Sequence, residues 1–337
     1  MAEAAPRRHP TLDEVAEHAG VSRSVASRAL NNAPHVSRTK REAVERAVRQ
    51  LGYTRNSTAR ALATRQTGAA ALVISGEDPS IFADPFFARV IVGASAALDS
   101  ADLHLMLCLA ASDRGRKRVE ELLRSRGADG VMLMALREDD PLTRMADEAQ
   151  MPVVFGGRPV GSVPRWYVDV DNVGGAREAT EHLVSRGRRR VAVICGRLDT
   201  EAGRARYRGY RDAMLAAGLD PFPPAEGDFT ERSGAAAMAA LLAEHPDVDG
   251  VFAANDNMAA GALRTVRKAG RRVPAEVAVV GFDDLAIAQV ADPPLTTVHQ
   301  PVEALGREMA RMLVALVNGQ DPTPLVLPTR LTVRAST

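Results

Sequence analysis

The chain has 337 residues, 46% hydrophobic and 25% charged, a composition for a soluble globular protein of two or three domains. No apolar run approaches the roughly 18 residues of a membrane span, and MAEAAPRRHP lacks a signal-peptide core, so a cytoplasmic protein without membrane contact is expected. The net charge of +1 hides an asymmetry: residues 1–66 hold twelve Lys and Arg against six Asp and Glu, a balance of +6, while the rest holds 31 basic against 36 acidic residues, −5. A basic head on an acidic body points to a nucleic-acid partner for the head.

The head reads as three helices. Thr11 and Glu14 make a T-x-x-E capping box before LDEVAEHA, which carries Leu12, Val15, Ala16 and Ala19 on one face. Gly20 supplies the turn, and Ser22 caps RSVASRALN, which turns Val25, Ala26, Ala29 and Leu30 inward and exposes Arg23, Ser24, Ser27 and Arg28. Ser37 caps a third helix flanked by Arg38, Lys40 and Arg41 and closed by Gly52. Two short helices around a Gly turn form a helix-turn-helix, whose second helix enters the major groove.

TLDEVAEHAGVSRSVASRALN and the following HVSRTKREAVERAVRQLGYTRNSTARALATRQTG resemble the lactose-repressor (LacI/GalR) family. The resemblance implies that Arg23, Ser24 and Arg28 read bases, with Arg28 suited to O6 and N7 of a guanine. The expected DNA-facing set is Thr11, Ser22, Arg23, Ser24, Val25, Ser27, Arg28, Asn31, His35 and Tyr53. Val25-Ala26 stands where the family usually has Thr-Val, so Val25 is placed to touch a thymine methyl instead of offering a hydroxyl. In YTRNSTARALATRQ, Asn56 or Ser57 can cap a helix of one and a half turns through Ala63, too short to be stable alone. By resemblance it is a hinge that folds on DNA, with Leu62 wedged between base pairs and small Ala59 and Ala63 beside it.

From Gly68 the apolar runs AALVIS, LHLMLCL, GVMLMAL, VVFGG, RVAVICG, GVFAAN and VAVVGF alternate with helical patterns at 86–100, 114–126, 173–187, 204–217, 232–244, 257–269 and 302–317. That alternation predicts parallel sheets covered by helices, in two doubly wound lobes. Cys108 and Cys195 both read as buried strand residues, with no disulfide framework or metal cluster. The resemblance implies a periplasmic-binding-protein-like body crossed near residues 169, 298 and 326. The expected organisation is a helix-turn-helix domain at 1–55, a hinge at 56–67, an N-terminal lobe of 68–169 with 299–325, and a C-terminal lobe of 170–298 with 326–337.

Ligands of open α/β sheets bind beyond the carboxyl ends of the strands, here between the lobes. Asn255, Asp256, Asp283, Asp284, Arg206 and Gln300 fall there, as do Phe82, Asp84, Phe86 and Phe87 after the first strand. Asp256 and Asp284 read equally well as helix caps. Arg206, Asn255, Asp283 and Gln300 match effector-contacting positions of the family. An Arg and a carboxylate across a cleft suit vicinal hydroxyls, as in a sugar or related polyol, with Phe82, Phe87 or Trp166 to stack on its apolar face. Gly157 stands where the family usually has an acidic residue, which implies one missing hydrogen bond to a sugar. No G-x-S-x-G, H-E-x-x-H, P-loop or clustered His/Cys set occurs, so neither catalysis nor a cofactor is expected.

The ending LVLPTRLTVRAST carries no leucine-heptad tail. The expected protein is therefore a dimeric repressor, paired by resemblance through helices 86–100 and 114–126, on a pseudo-palindromic double-stranded operator. A solute-binding protein for transport and an activator are the alternative readings.

Overall fold

The computed structural model describes residues 10–30, 34–53, 66–76 and 84–337, and the chain divides into two compact units, 1–65 and 66–337. In the first unit, α1 (Leu12–His18), α2 (Arg23–Leu30) and α3 (Arg38–Leu51) close around Val15, Ala16, Ala26, Ala29, Val44 and Ala47. Both halves of the Thr11–Glu14 capping box are formed. Ser22 Oγ accepts from Val25 N at 3.4 Å. Ser37 occupies the N-cap position of α3, but its hydroxyl makes no capping bond. Gly20 and Gly52 have φ of +65° and +64°, the left-handed backbone that ends a helix and that glycine adopts without steric cost.

The second unit contains two six-stranded sheets. Its N-terminal lobe is built on β1 (Ala69–Ser75), β2 (His104–Ala110), β3 (Gly130–Met134), β4 (Val153–Gly156), β5 (Tyr167–Val170) and β11 (Leu325–Leu327), in the order β11-β5-β4-β3-β1-β2 with every pair parallel. Its helices are α4 (Pro85–Asp99), α5 (Asp113–Ser125), α6 (Pro141–Glu148) and α12 (Val302–Val317). The C-terminal lobe has β6 (Val191–Cys195), β7 (Ala225–Glu226), β8 (Gly250–Ala253), β9 (Ala278–Asp283), β10 (Thr296–His299) and β12 (Arg330–Thr332), ordered β12-β10-β9-β8-β6-β7. In that sheet β12 runs antiparallel to β10. Its helices are α7 (Asn172–Ser185), α8 (Glu201–Ala216), α9 (Glu231–Glu244), α10 (Asp256–Lys268) and the short α11 (Ala286–Val290).

Central strands such as β3 and β6 are buried along their whole length, as strands covered on both faces must be. Helices α4 and α12 cross backbone to backbone: a Cβ on Gly93 would sit 1.9 Å from Glu303 O, and one on Gly306 2.0 Å from Val90 O. The chain changes lobes between Val170 and Asn172, between His299 and Val302, and between Leu327 and Arg330. Val326 and Leu327 pair with Asp169 and Val170, so Val170, Val326 and Leu327 belong to the N-terminal lobe's sheet, whereas His299 pairs with Asp283 in the C-terminal lobe's sheet, each on the opposite side from its expected lobe. Apolar patterning marks a strand's middle, while hydrogen bonding to a neighbour fixes its end. Cys195 is buried as expected, but Cys108 is half-buried because β2 is an edge strand. Among the described residues no helix is long and apolar enough to cross a membrane.

Candidate functional site

In the head, Arg23, Ser24 and Arg28 are exposed along α2, with Val25 and Ser27 half-buried beside them. Arg23 pairs loosely with Asp13 at 3.4 Å, both exposed, a contact worth little in water and easily exchanged for a phosphate. Arg28 Nε donates to Ser24 O at 3.2 Å, which lays the guanidinium along the exposed face. Thr11 and Ser22 are engaged as caps, His35 is exposed with φ of +72°, and Tyr53 packs half-buried on the head's core. Asn31, Asn56, Ala59 and Leu62 lie outside the described residues.

In the body, the carboxyl ends of both sheets open on a cavity of about 750 Å³. Asp84, Phe87, Arg206, Asn255, Asp283 and Gln300 all line it, while Phe82 lies outside the described residues. Arg206 projects from α8 and is 5% exposed. Its Nε donates to Asn172 Oδ1 at 2.9 Å, and its Nη1 to Ala254 O at 2.5 Å and Asp283 Oδ1 at 3.4 Å. The guanidinium carbon stands 3.8 Å from the centroid of the Phe282 ring. Burial pulls the Arg206 pKa below the ordinary arginine value, against Asp283, Asp169 and Asp256, which hold it up.

Asp283 accepts from Gln300 Nε2 as well as from Arg206. Burial pushes its carboxyl up to about 7, opposed by Arg206 and assisted by the negative charge of Asp84. Its φ of +107° is a backbone state rare for a residue with a side chain, a kind of strain that concentrates at binding sites. Asp84, from the other lobe, caps α4 by accepting from Phe86 N at 3.0 Å and also accepts from the side chain of Asn257 across the cleft. Burial raises its pKa.

Asn255 is itself the N-cap of α10: its Oδ1 accepts from Met258 N and its Nδ2 donates to Phe229 O, each at 2.9 Å. Asp256 and Asp284 cap no helix. Asp256 is buried under the sheet, accepting from Leu285 N and Thr297 Oγ1, and Asp284 accepts from Arg334 Nη2 and His299 Nδ1.

Several lining residues were invisible to sequence reasoning. Phe229 has φ of +70°, and its ring fills the space a side chain on Gly196 would take. The Asn255 bond to its carbonyl holds this strained backbone and leaves the ring at the cavity wall. Its one sequence signal is an aromatic placed immediately before the Thr230 helix cap. Gly157 offers no carboxylate, but Asp169, 4% exposed and paired to Arg158 Nε at 2.9 Å, brings one to the same wall. Trp166 does not line the cavity. It packs on the N-terminal lobe's core, donates Nε1–H to Asp321 Oδ1 at 3.2 Å and lies under Arg165. Phe87 is chiefly core, meeting Phe86 edge to face at 5.2 Å.

A helix-turn-helix head in one unit and a polar cleft between two parallel-sheet lobes in the other define a transcriptional regulator with a small-molecule effector domain. Residues 11–56 match the model for bacterial regulatory proteins of the lacI family, and residues 180–337 that for the periplasmic binding protein-like domain. The HTH-type transcriptional regulator CelR of Thermobifida fusca is 49% identical over 98% of this chain and 99% of its own. A solved transcriptional regulator CelR–cellobiose complex is similar at 46% identity with a TM-score of 0.77, covering 98% of this chain and 100% of that one. The lac repressor dimer bound to operator and the anti-inducer ONPF aligns with a TM-score of 0.87 at 28% identity, over 98% and 99% of the two chains. The chain belongs to the lacI family of bacterial regulatory proteins and is a DNA-binding transcriptional regulator.

Proposed function

We propose that this regulator is a cytoplasmic repressor that binds a pseudo-palindromic operator as a dimer, and that a neutral disaccharide, cellobiose or a close relative, sets its DNA affinity from the interlobe cleft. The observation that carries the ligand class is the pairing of Arg206 and Asp283 with the aromatic wall of Phe229. A fixed donor and acceptor bracket vicinal hydroxyls, and a ring face covers the apolar side of a pyranose. Four arginines and six carboxylates line the cavity among the described residues, which disfavours a phosphorylated ligand. The similarity to the CelR–cellobiose complex supports the disaccharide. The cleft binds its ligand without transforming it.

The dimer reading rests on the N-terminal lobe's edge strand β2, which leaves Met106, Leu107 and Leu109 38–44% exposed beside α4 and α5. A long apolar edge is normally covered by a partner, here a second copy. In the head, α2 reads the half-site with Arg23, Ser24 and Arg28, and residues 56–67 act as a DNA-folded hinge, for which Leu62→Ala tests the wedge. The effector claim is tested by thermal shift with cellobiose, glucose and a sugar phosphate. Cellobiose should raise the melting temperature by mass action and the phosphate should not. A protein indifferent to every neutral sugar but stabilised by the phosphate overturns the assignment.

A further inference from the structure

The charged residues on one rim of the cleft form a set of bonds between lobes that the effector site does not require for its own geometry. Arg137, in the loop after β3 of the N-terminal lobe, donates Nε–H to Asp199 Oδ2 of the C-terminal lobe at 2.6 Å. Arg197, on the same side as Asp199, donates Nε–H to its Oδ1 at 3.1 Å and Nη2–H to its Oδ2 at 2.9 Å. One residue further along, Glu138 N donates to Asp199 O at 2.8 Å, and Arg204 Nη2 pairs with Glu138 Oε2 at 2.5 Å. Arg204 is fixed in turn by its Nε–H bond to Leu198 O at 2.5 Å. Two consecutive residues of one lobe are thus gripped by a single loop and the first turn of α8 in the other, through two ion pairs and one backbone hydrogen bond.

We infer that this Arg137–Asp199 and Glu138–Arg204 pair is an interlobe latch that stabilises the closed cleft and so raises the apparent affinity for the effector. The inference rests on the proposed effector site only for its binding readout. The latch sits where closure is felt, since Arg137 and Arg197 both line the cavity while Asp199 joins them across its rim. Its groups are between 29% and 47% exposed, so each pair is screened and modest alone, and the two pairs act together because they fasten adjacent residues. A ligand that needs both walls binds the closed arrangement. Its apparent dissociation constant therefore rises by the factor by which the closed population falls. Asp199 and Glu138 are positioning residues here, acting on the ligand through lobe geometry.

The test is a charge swap on the full-length protein. Glu138→Arg and Arg204→Glu, each alone, should weaken cellobiose binding by about three- to tenfold and widen the separation between spin labels placed on the exposed Asp147 and Glu244, one on each lobe, measured without sugar. The double variant should restore both quantities, and raising salt should move the parent toward the single variants. The label distance answers the latch question even if cellobiose is the wrong sugar. Single variants that leave the distance distribution unchanged, or a double variant no closer to the parent than either single one, overturn the inference.

Discussion

Replacing Arg206 by Gln should unfold the effector domain far more readily at pH 8 than at pH 6. The guanidinium is buried and serves three acceptors, Asn172 Oδ1, Ala254 O and Asp283 Oδ1, besides covering the Phe282 ring. A Gln amide can replace one of those bonds. The remaining acceptors and the unpaired Asp283 charge then cost about 3–5 kcal/mol, the usual penalty for removing one partner of a buried pair. At roughly 2–4 °C per kcal/mol for a domain of this size, the melting midpoint falls by about 10 °C. The pH dependence follows from Asp283, whose carboxyl is already pushed up to about 7 by burial. Losing Arg206 raises it further, so the folded variant holds a proton that the unfolded chain releases near pH 4. Stability then declines as pH rises from about 4 through the folded value, and a protonated Asp283 relieves the penalty at pH 6. Urea unfolding followed by circular dichroism at both pH values measures this. Arg208→Gln, on the same helix but exposed and paired to Glu201, is the control and should shift stability by less than about 0.5 kcal/mol. An Arg206→Gln protein within about 1 kcal/mol of the parent at pH 8 would refute the assignment of Arg206 as the cation that sustains the buried carboxylate.

Four further outcomes follow. Phe229→Ala should weaken cellobiose binding about tenfold in calorimetry with little loss of stability, since the half-buried ring gives roughly 1–2 kcal/mol of apolar contact to a sugar face. Cellobiose affinity should rise about tenfold between pH 5.5 and 8, because sugar hydroxyls donate to the ionised form of Asp283, and Asp283→Asn should flatten that profile. Arg28→Ala should cost about 1–3 kcal/mol of operator binding and relax selectivity at one base pair, read by fluorescence anisotropy against a set of single-base variants. Leu107→Asp with Leu109→Asp should convert the dimer to monomers in sedimentation velocity, while the cellobiose affinity of the separated chains stays near that of the parent.

Much of the architecture is written in local patterns. GVMLM and VAVIC are apolar on both faces because helices cover both sides of their sheets, and that double burial appears directly as an uninterrupted apolar run. The capping signals at Thr11 and Ser22 likewise act within a few residues of one another. Short elements left weaker traces. PLTRMADE is an eight-residue helix with two buried positions, and RLT becomes a strand only because TTVH lies beside it, a pairing across more than thirty residues.

The site divides the same way. Asn255, Asp283 and Gln300 stand at or just beyond strand ends, where topology places the cleft, while Arg206 reaches it from within α8 and was marked only by the family resemblance. Asp169, which brings a carboxylate to the wall beside Gly157, belongs to a strand end defined by its pairing with Leu325–Leu327, and Asn172, which orients Arg206, opens the helix that follows. Phe229 depends on a left-handed backbone held by a side chain 26 residues away, and Arg137 and Asp199 look like ordinary solvated charges until the lobes meet.

The central claim is that one small molecule in the cleft changes the grip of the head on DNA. Titrating the intact protein onto a fluorescent palindromic operator duplex, with and without saturating cellobiose at fixed salt, measures that coupling directly. The account predicts an operator affinity shifted at least about tenfold by cellobiose, abolished in a variant lacking Phe229 and Asp283, with binding to scrambled DNA unmoved. Cellobiose that binds the protein while operator affinity stays the same would contradict it.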